Sequence, residues 1–381
     1  MKFKRIFLVI LDSLGIGATN DSDKYGDGLA NTLEHTLEKE NISLPNLKSL
    51  GLFELFDDTN DNHYGYYTKA IPSTITKSSL ISHLEMMGVN LNDEYKKLDI
   101  HNLDKDLVSL IYTEIGRKFI VAHDNEDVIN KYGPLQIKSG DIIVSYNYYT
   151  LKLYAQESVI PLKELGKIGT DIMNILEENK YLINKIECYS FDGKPDNFKI
   201  KDTFNIPIIK PNETILETLK KKGFKVLTIG KATTIFNNQD MTNVCKTTND
   251  IDTIKKLLKS TSFNFTGICI SNLSDLNYYG HKRDISGYAK TLKGFDNSIP
   301  LIVGSLHPDD LLIITSDQGN DPTYSGNDHT REKVPVLCFN TGFKNSGELP
   351  YLQTFADIGA TTADNFGIEY KNGTSFLEKL R

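Results

Sequence analysis

Five short apolar runs, continuous rather than alternating, constrain this chain most: Ile6–Leu11, Lys225–Ile229, Gly267–Ser271, Leu311–Thr315 and Val334–Phe339. A strand that is apolar on both faces has to be covered on both, which is the pattern of a buried parallel sheet. Between the runs lie stretches with helical periodicity, Thr214–Lys222, closed by Gly223, and Ile251–Leu258. Glycine after a lysine-rich last turn is a helix stop. Strand and helix in alternation predict an α/β core with a mostly parallel sheet and helices on both faces. The middle of the chain, His101 to Ile209, reads differently. Short β-rich segments surround one long helical stretch, Leu162–Glu178, and Asp/Asn/Lys-rich loops separate them. The expected organisation is a discontinuous core, 1–100 and 210–381, interrupted by a smaller α+β domain, 101–209.

The 381 residues include 43 Lys+Arg against 50 Asp+Glu, a net charge of −7, and 39% are hydrophobic. That is apolar enough for a sizeable core and not charged enough for disorder. With no concentrated basic block, neither nucleic acid nor an anionic membrane is the expected partner. The N-terminal run ends at Asp12 with no small-residue cleavage site after it, so it reads as a strand and not a leader. No apolar run reaches the ~18–20 residues of a membrane span. Cys188, Cys245, Cys269 and Cys338 lack CxxC spacing, and Cys269 and Cys338 sit inside apolar runs. Reduced core thiols in a cytoplasmic protein are the expectation.

The chemistry concentrates at strand ends. Asp12 directly follows the first run, Asp275 comes four residues after Ser271, and Asp317 follows the LLIITS segment. Ligands of open α/β sheets bind outside the carboxyl ends of strands, so these carboxylates are expected to converge in one crevice. Gathered carboxylates repel one another unless a cation neutralises them. His281 lies six residues after Asp275 and His329 twelve after Asp317. Asp/His ligation suits divalent Mn, Zn or Fe, and two Asp–His pairings suggest two ions.

Three long segments carry a resemblance: LDSLGIGATNDSDKYGDGLANTLEH near the start, NLSDLNYYGHKRDISGYAKTLKGFDNSIP, and LLIITSDQGNDPTYSGNDHTREKVPVL. In order and spacing they resemble the bacterial phosphopentomutases, a metal-dependent mutase branch of the alkaline phosphatase superfamily, over nearly the whole chain. The resemblance implies an alkaline-phosphatase-like core with an inserted cap. It implies interconversion of ribose or deoxyribose 1-phosphate and 5-phosphate through a phosphoenzyme, with a small phosphorylated sugar as partner. It also implies two divalent cations, Mn²⁺ by similarity, and a sugar bisphosphate as activator. Asp12 and Asp317, with Gln318 beside them, would hold one ion, and Asp275, His281 and His329 the other. The segment SSLISHLEMMG is similar to the family's HWE-x-MG block and places Ser79 at the nucleophile position. Ser79 would open a helix with Leu80, His83, Leu84 and Met87 on one face, where helix-end amides favour an alkoxide or phosphate.

The chain also departs from that family. Gln318 stands where the family has histidine and offers only a neutral carbonyl oxygen. The segment before Gly280-His281 is one residue short, which makes Asn277 the substitute ligand if Asp275 falls out of reach. The nucleophile loop reads Lys77-Ser78-Ser79. Sugar phosphate recognition needs cationic donors, and Lys231 in the IGKA turn, Arg283 and Arg331 are the candidate phosphate contacts. These departures keep two other readings open. One is a phosphatase or mutase acting on a different phosphorylated compound. The other is a metabolite-binding relative with an impaired metal site.

Overall fold

The computed structural model describes residues 1–56, 63–89, 96–123, 127–147, 150–183, 185–207, 213–236 and 241–380. In chain order the elements begin with β1 (Arg5–Leu11), α1 (Thr32–Lys39), α2 (Pro45–Ser49), β2 (Tyr66–Ala70) and α3 (Ser79–Met86). There follow β3 (Lys96–Lys97), α4 (Lys105–Ile115), β4 (Phe119–Val121), α5 (Val128–Ser139), β5 (Ile142–Asn147), β6 (Thr150–Gln156), α6 (Leu162–Glu178), β7 (Tyr181–Leu182), β8 (Lys185–Lys194) and β9 (Asn197–Pro207). The chain continues through α7 (Ile215–Lys221), β10 (Lys225–Gly230), α8 (Ala232–Ile235), β11 (Asn243–Cys245), α9 (Asp250–Thr261), β12 (Gly267–Leu273) and α10 (Asp275–His281). It ends with α11 (Ile285–Gly304), β13 (Asp310–Thr315), β14 (Val334–Phe339), β15 (Gly347–Glu348) and α12 (Ala356–Asn365).

Two compact units emerge, Met1–Asn92 with Pro211–Arg381, and Asp93–Lys210. The first is built on an eight-stranded sheet of order β11-β10-β12-β1-β13-β14-β2-β15. All five apolar runs lie in it. β1 is central, parallel to β12 on one side and β13 on the other, and each of its residues is buried. Phe7, Val9 and Leu11 pack with residues of α1, α2, α9 and α11, such as Leu33, Leu47, Leu257 and Leu292. Ile6, Leu8 and Ile10, on the opposite face, are equally buried. The core is therefore an α/β layer with helices on both faces. The Val334–Phe339 run is the exception to the parallel expectation, because β14 pairs antiparallel with both β13 and β2. The link 316–333 carries no helix among its residues, so it doubles back and lacks the crossover that a parallel return requires.

Local signals account for the helix ends. Thr214 and Glu217 form a reciprocal capping box at the start of α7, and Asn249 caps α9. In the second unit, β4-β5-β6-β8-β9 form a mixed sheet, and α6 covers it with Leu165, Ile172, Met173 and Leu176. The four cysteines are unpaired thiols, and Cys188, Cys269 and Cys338 are buried. Among the described residues no helix is long and apolar enough to cross a membrane.

At the amino ends of the central strands, the Arg5 guanidinium grips Asp310 with Nε and Nη2, both at 2.6 Å. Its Nη1 donates to Thr261 O and Phe263 O. The pair is almost fully enclosed, so Arg5→Met strands a buried carboxylate. The expected loss is about 3–5 kcal/mol, read as a lower midpoint in urea unfolding. A loss under ~1 kcal/mol would mean the pair does not tie β1 to β13.

Candidate active site

The site lies at the carboxyl ends of the first unit's strands. Asp12 follows β1, and its N–H donates to Leu273 O at the end of β12. Asp317 follows β13, the neighbour of β1, so adjacency in the sheet sets the two carboxylates side by side. Ser13 between them adopts φ 83°, a left-handed conformation that is costly for a residue with a Cβ. Its N–H donates to Asp317 Oδ1 at 3.1 Å, its hydroxyl donates to Asn277 Oδ1 at 2.9 Å, and its carbonyl accepts the Tyr288 hydroxyl at 2.7 Å. The strained turn thus fixes how the two carboxylates face the crevice.

Ser79 opens α3 and donates its hydroxyl to Asp317 Oδ2 at 2.5 Å. The helix is anchored by the buried carboxylate of Glu85, which accepts from Ser73 N, Thr74 N, Thr354 Oγ1 and Phe355 N. From the opposite wall comes Lys231. β10 ends at Gly230, whose φ is 74° and where a Cβ would lie 2.4 Å from Asn272 O. Only glycine allows that approach, and it delivers Lys231 to the crevice edge. The Lys231 ammonium forms an ion pair with Asp12 Oδ2 and donates to Ser79 Oγ at 3.1 Å.

Burial opposes charge on both carboxylates, and their surroundings separate them. At Asp12 burial opposes the charge most, but Lys231, His83 and His329 together hold the carboxyl below its usual range. At Asp317 burial and the neighbouring Asp12 carboxylate push the pKa up to about 8. Burial works against the Lys231 charge too, but Asp12 and Asp317 together raise its pKa above the ordinary lysine value. The site therefore holds one firmly ionised carboxylate, one that readily carries a proton, and a firm cation.

The histidines form a second group. His329 gives its Nδ1–H to Lys77 O at 2.9 Å, and burial lowers its pKa to about 3. Its lone pair is then on Nε2, 2.9 Å from Asn277 Oδ1. His281 gives its Nδ1–H to Asn327 O at 2.5 Å, and its ring centroid lies 4.5 Å from that of His329. A ring whose other nitrogen is committed to a backbone carbonyl is oriented as metal-ligating histidines are.

Several sequence expectations are corrected. Asp275 does not join the histidines. β12 runs on to Leu273, so Asp275 becomes the first residue of α10, where its Oδ2 accepts from Asp250 N at 3.2 Å. Asn277 takes the place beside His329. Both arginines that read as phosphate contacts are engaged with the protein itself. Arg283 is spent on Gly280 O, Gly326 O, Asp321 O, Asp328 O and Asn320 Oδ1, bracing the loop that carries His329. Arg331 is buried against Asp21, Thr76 O and Pro72 O, bracing the segment that leads to Ser79. Gln318 is only 4% exposed, and neither of its amide atoms has a hydrogen-bond partner. Of the proposed phosphate contacts, Lys231 alone reaches Ser79.

Sequence reasoning missed Ser13, Asn272 and His83 as site residues. His83 donates from Nδ1 to Ser79 O at 2.6 Å and accepts on Nε2 from Asn272 Nδ2 at 3.0 Å. It was legible only as one more residue on the buried face of α3.

A sequence model of the metalloenzyme superfamily matches residues 4–370, and the chain belongs to that superfamily, whose chemistry rests on bound divalent metal ions. Among solved structures it is similar to the PH0037 protein of Pyrococcus horikoshii, at 14% identity and a TM-score of 0.51, covering 98% of this chain and 100% of that one. It is similar also to Leishmania mexicana phosphoglycerate mutase, crystallised at low cobalt concentration, at 13% identity and a TM-score of 0.51, covering 98% and 97%. At such identities the likeness is one of fold.

The donor set can be tested against the ions the family implies. Ligands ~2.1 Å from one ion and at right angles to each other are about 3 Å apart. The 2.9 Å between His329 Nε2 and Asn277 Oδ1 fits that separation, and His281 is the third donor at hand. The Asp12 side fits less well, because Lys231 already holds the oxygen an ion would take. Among the described residues no three His, Cys, Asp or Glu side chains form a ready-made cluster.

Buried His83 titrates at about 4, because burial disfavours its charge more than the Asp12 carboxylate supports it. The unfolded chain binds this proton near pH 6.5. Stability is therefore full above that pH and declines as pH falls toward 4, by about 1.4 kcal/mol per pH unit from this group. In His83→Gln that part of the slope disappears from urea-unfolding series between pH 6.5 and 4. An unchanged slope would show that His83 is charged in the fold.

Proposed function

We propose that the protein is a phosphoryl-transfer enzyme of phosphopentomutase type, which interconverts pentose 1-phosphates and 5-phosphates through a phosphoserine at Ser79. One observation carries this reading: the Ser79 hydroxyl is held between a proton acceptor, Asp317 Oδ2, and a cation, the Lys231 ammonium. As Ser79 Oγ attacks phosphorus, its proton passes to Asp317, and the bond from phosphorus to the donor's oxygen breaks, that oxygen taking a proton from solvent. Lys231 offsets the charge on Oγ and on the arriving phosphoryl group. In the return step a sugar hydroxyl attacks the phosphoserine and gives up its proton to solvent, the bond from phosphorus to Ser79 Oγ breaks, and Asp317 returns its proton to Oγ. His83 fixes the backbone of the nucleophile by holding Ser79 O, and Asn272 fixes His83. A divalent ion held by Asn277, His281 and His329 would supply Lewis-acid charge to a phosphoryl oxygen.

Pentose phosphate as substrate, manganese as the ion and a sugar bisphosphate as the primer are parts of the same proposal. They rest on the sequence resemblance and agree with membership of the superfamily. The test is Mn²⁺-dependent conversion of ribose 1-phosphate to ribose 5-phosphate after priming with a sugar bisphosphate, followed by ³¹P NMR. The wild type is expected to turn over, and Ser79→Ala to fall to background. Asp317→Asn, which keeps the shape and loses the proton acceptor, is expected to lower kcat by ~10²–10⁴-fold. No conversion by wild-type protein with its metal bound would turn the assignment to another phosphorylated substrate. Turnover retained in Ser79→Ala would remove the proposed nucleophile.

A further inference from the structure

The superfamily implies bound metal, and the sequence resemblance implies two ions, one of them held by Asp12 and Asp317, with the phosphate-carrying residue between the two. In this chain a side chain already bridges those groups. The Lys231 ammonium pairs with Asp12 Oδ2 and reaches Ser79 Oγ at 3.1 Å, and Ser79 in turn bonds Asp317 Oδ2. Lys231 leaves the strand directly after Gly230, whose φ is 74° and where a Cβ would lie 2.4 Å from Asn272 O.

The charges point the same way. Even with both carboxylates ionised, Asp12, Asp317 and Lys231 together carry a net charge of only minus one. Ser79, Asn277, Gln318, His281 and His329 add only neutral donors. Two divalent ions bring four positive charges, and two carboxylates already matched by an ammonium do little to offset them. Asp275, the carboxylate that could have added to the set, is turned to the main chain of Asp250. Gln318, next to Asp317, is neither imidazole nor carboxylate.

We propose that Lys231 is the resident cation of the Asp12–Ser79–Asp317 pocket, in place of one metal ion, and that this chain binds a single divalent ion, at Asn277, His281 and His329. Nucleophile activation then falls to a covalently tethered charge, and the ion serves only the far side of the phosphoryl group. This rests on the phosphoryl-transfer reading for its chemistry, but the ion count does not depend on which substrate is turned over.

The experiment is a Mn²⁺ titration of chelator-stripped full-length protein. Stoichiometry is read by calorimetry and elemental analysis, and spin coupling between ions by electron paramagnetic resonance. Wild-type protein is expected to bind one Mn²⁺ per chain with an uncoupled spectrum. Lys231→Met, which vacates the pocket and keeps the apolar stem, is expected to admit a second ion, and His329→Ala to lose the first. Two ions or none in the wild type contradict the proposal, and so does a Lys231→Met protein that folds and still takes one. Should Lys231→Met fail to fold, the wild-type count and the absence of coupling still decide the matter. A protein that binds one ion yet converts no pentose phosphate would overturn the substrate assignment and leave this proposal standing.

Discussion

Two carboxylates buried at the ends of neighbouring strands need a positive charge beside them, and the ion pair of Lys231 with Asp12 supplies it. Asp12 and Asp317 are both essentially closed to solvent, where unpaired charge costs several kcal/mol per group. The ammonium resolves the conflict unequally, keeping Asp12 ionised while Asp317 takes on proton affinity. From that asymmetry follows a site in which Ser79 has an acceptor for its proton on one side and a cation on the other. The fold makes this possible because β1 lies between β12 and β13, so three strand ends and the turn after β10 open on the same crevice.

Around this pair a few charged and polar side chains fix the backbone that carries the site. Arg331 holds the carbonyls of Thr76 and Pro72, and His329 holds that of Lys77, so the segment entering α3 has little freedom before it reaches Ser79. Glu85 secures the same helix from its other end. Arg283 binds the loop that places His329 and Asn327. An arginine with several donors in one plane suits this bracing of backbone oxygens.

What could be read from the sequence, and what could not, divides along physical lines. Continuous apolar runs located the central strands because burial on both faces leaves no alternation to miss. Asp12 and Asp317 were legible because strand ends define the crevice, and Ser79 because its segment matched a known block. Strand direction at β14 was not legible, since parallel and antiparallel strands buried on both sides have the same apolar pattern. The one-residue shortage before Gly280-His281 already marks Asn277 as the substitute for Asp275, and with β12 running to Leu273, Asp275 opens α10. His83 and Asn272 meet across 189 positions of sequence, which no local pattern encodes.

The account stands on Ser79 as the residue that carries phosphate. It is tested most directly by incubating the protein with Mn²⁺ and a sugar bisphosphate, quenching in acid, and mapping phosphopeptides by mass spectrometry. The account predicts one phosphate, on Ser79, present in wild type and missing from Ser79→Ala. Phosphate on any other residue, or turnover by a protein that never acquires phosphate, would contradict it.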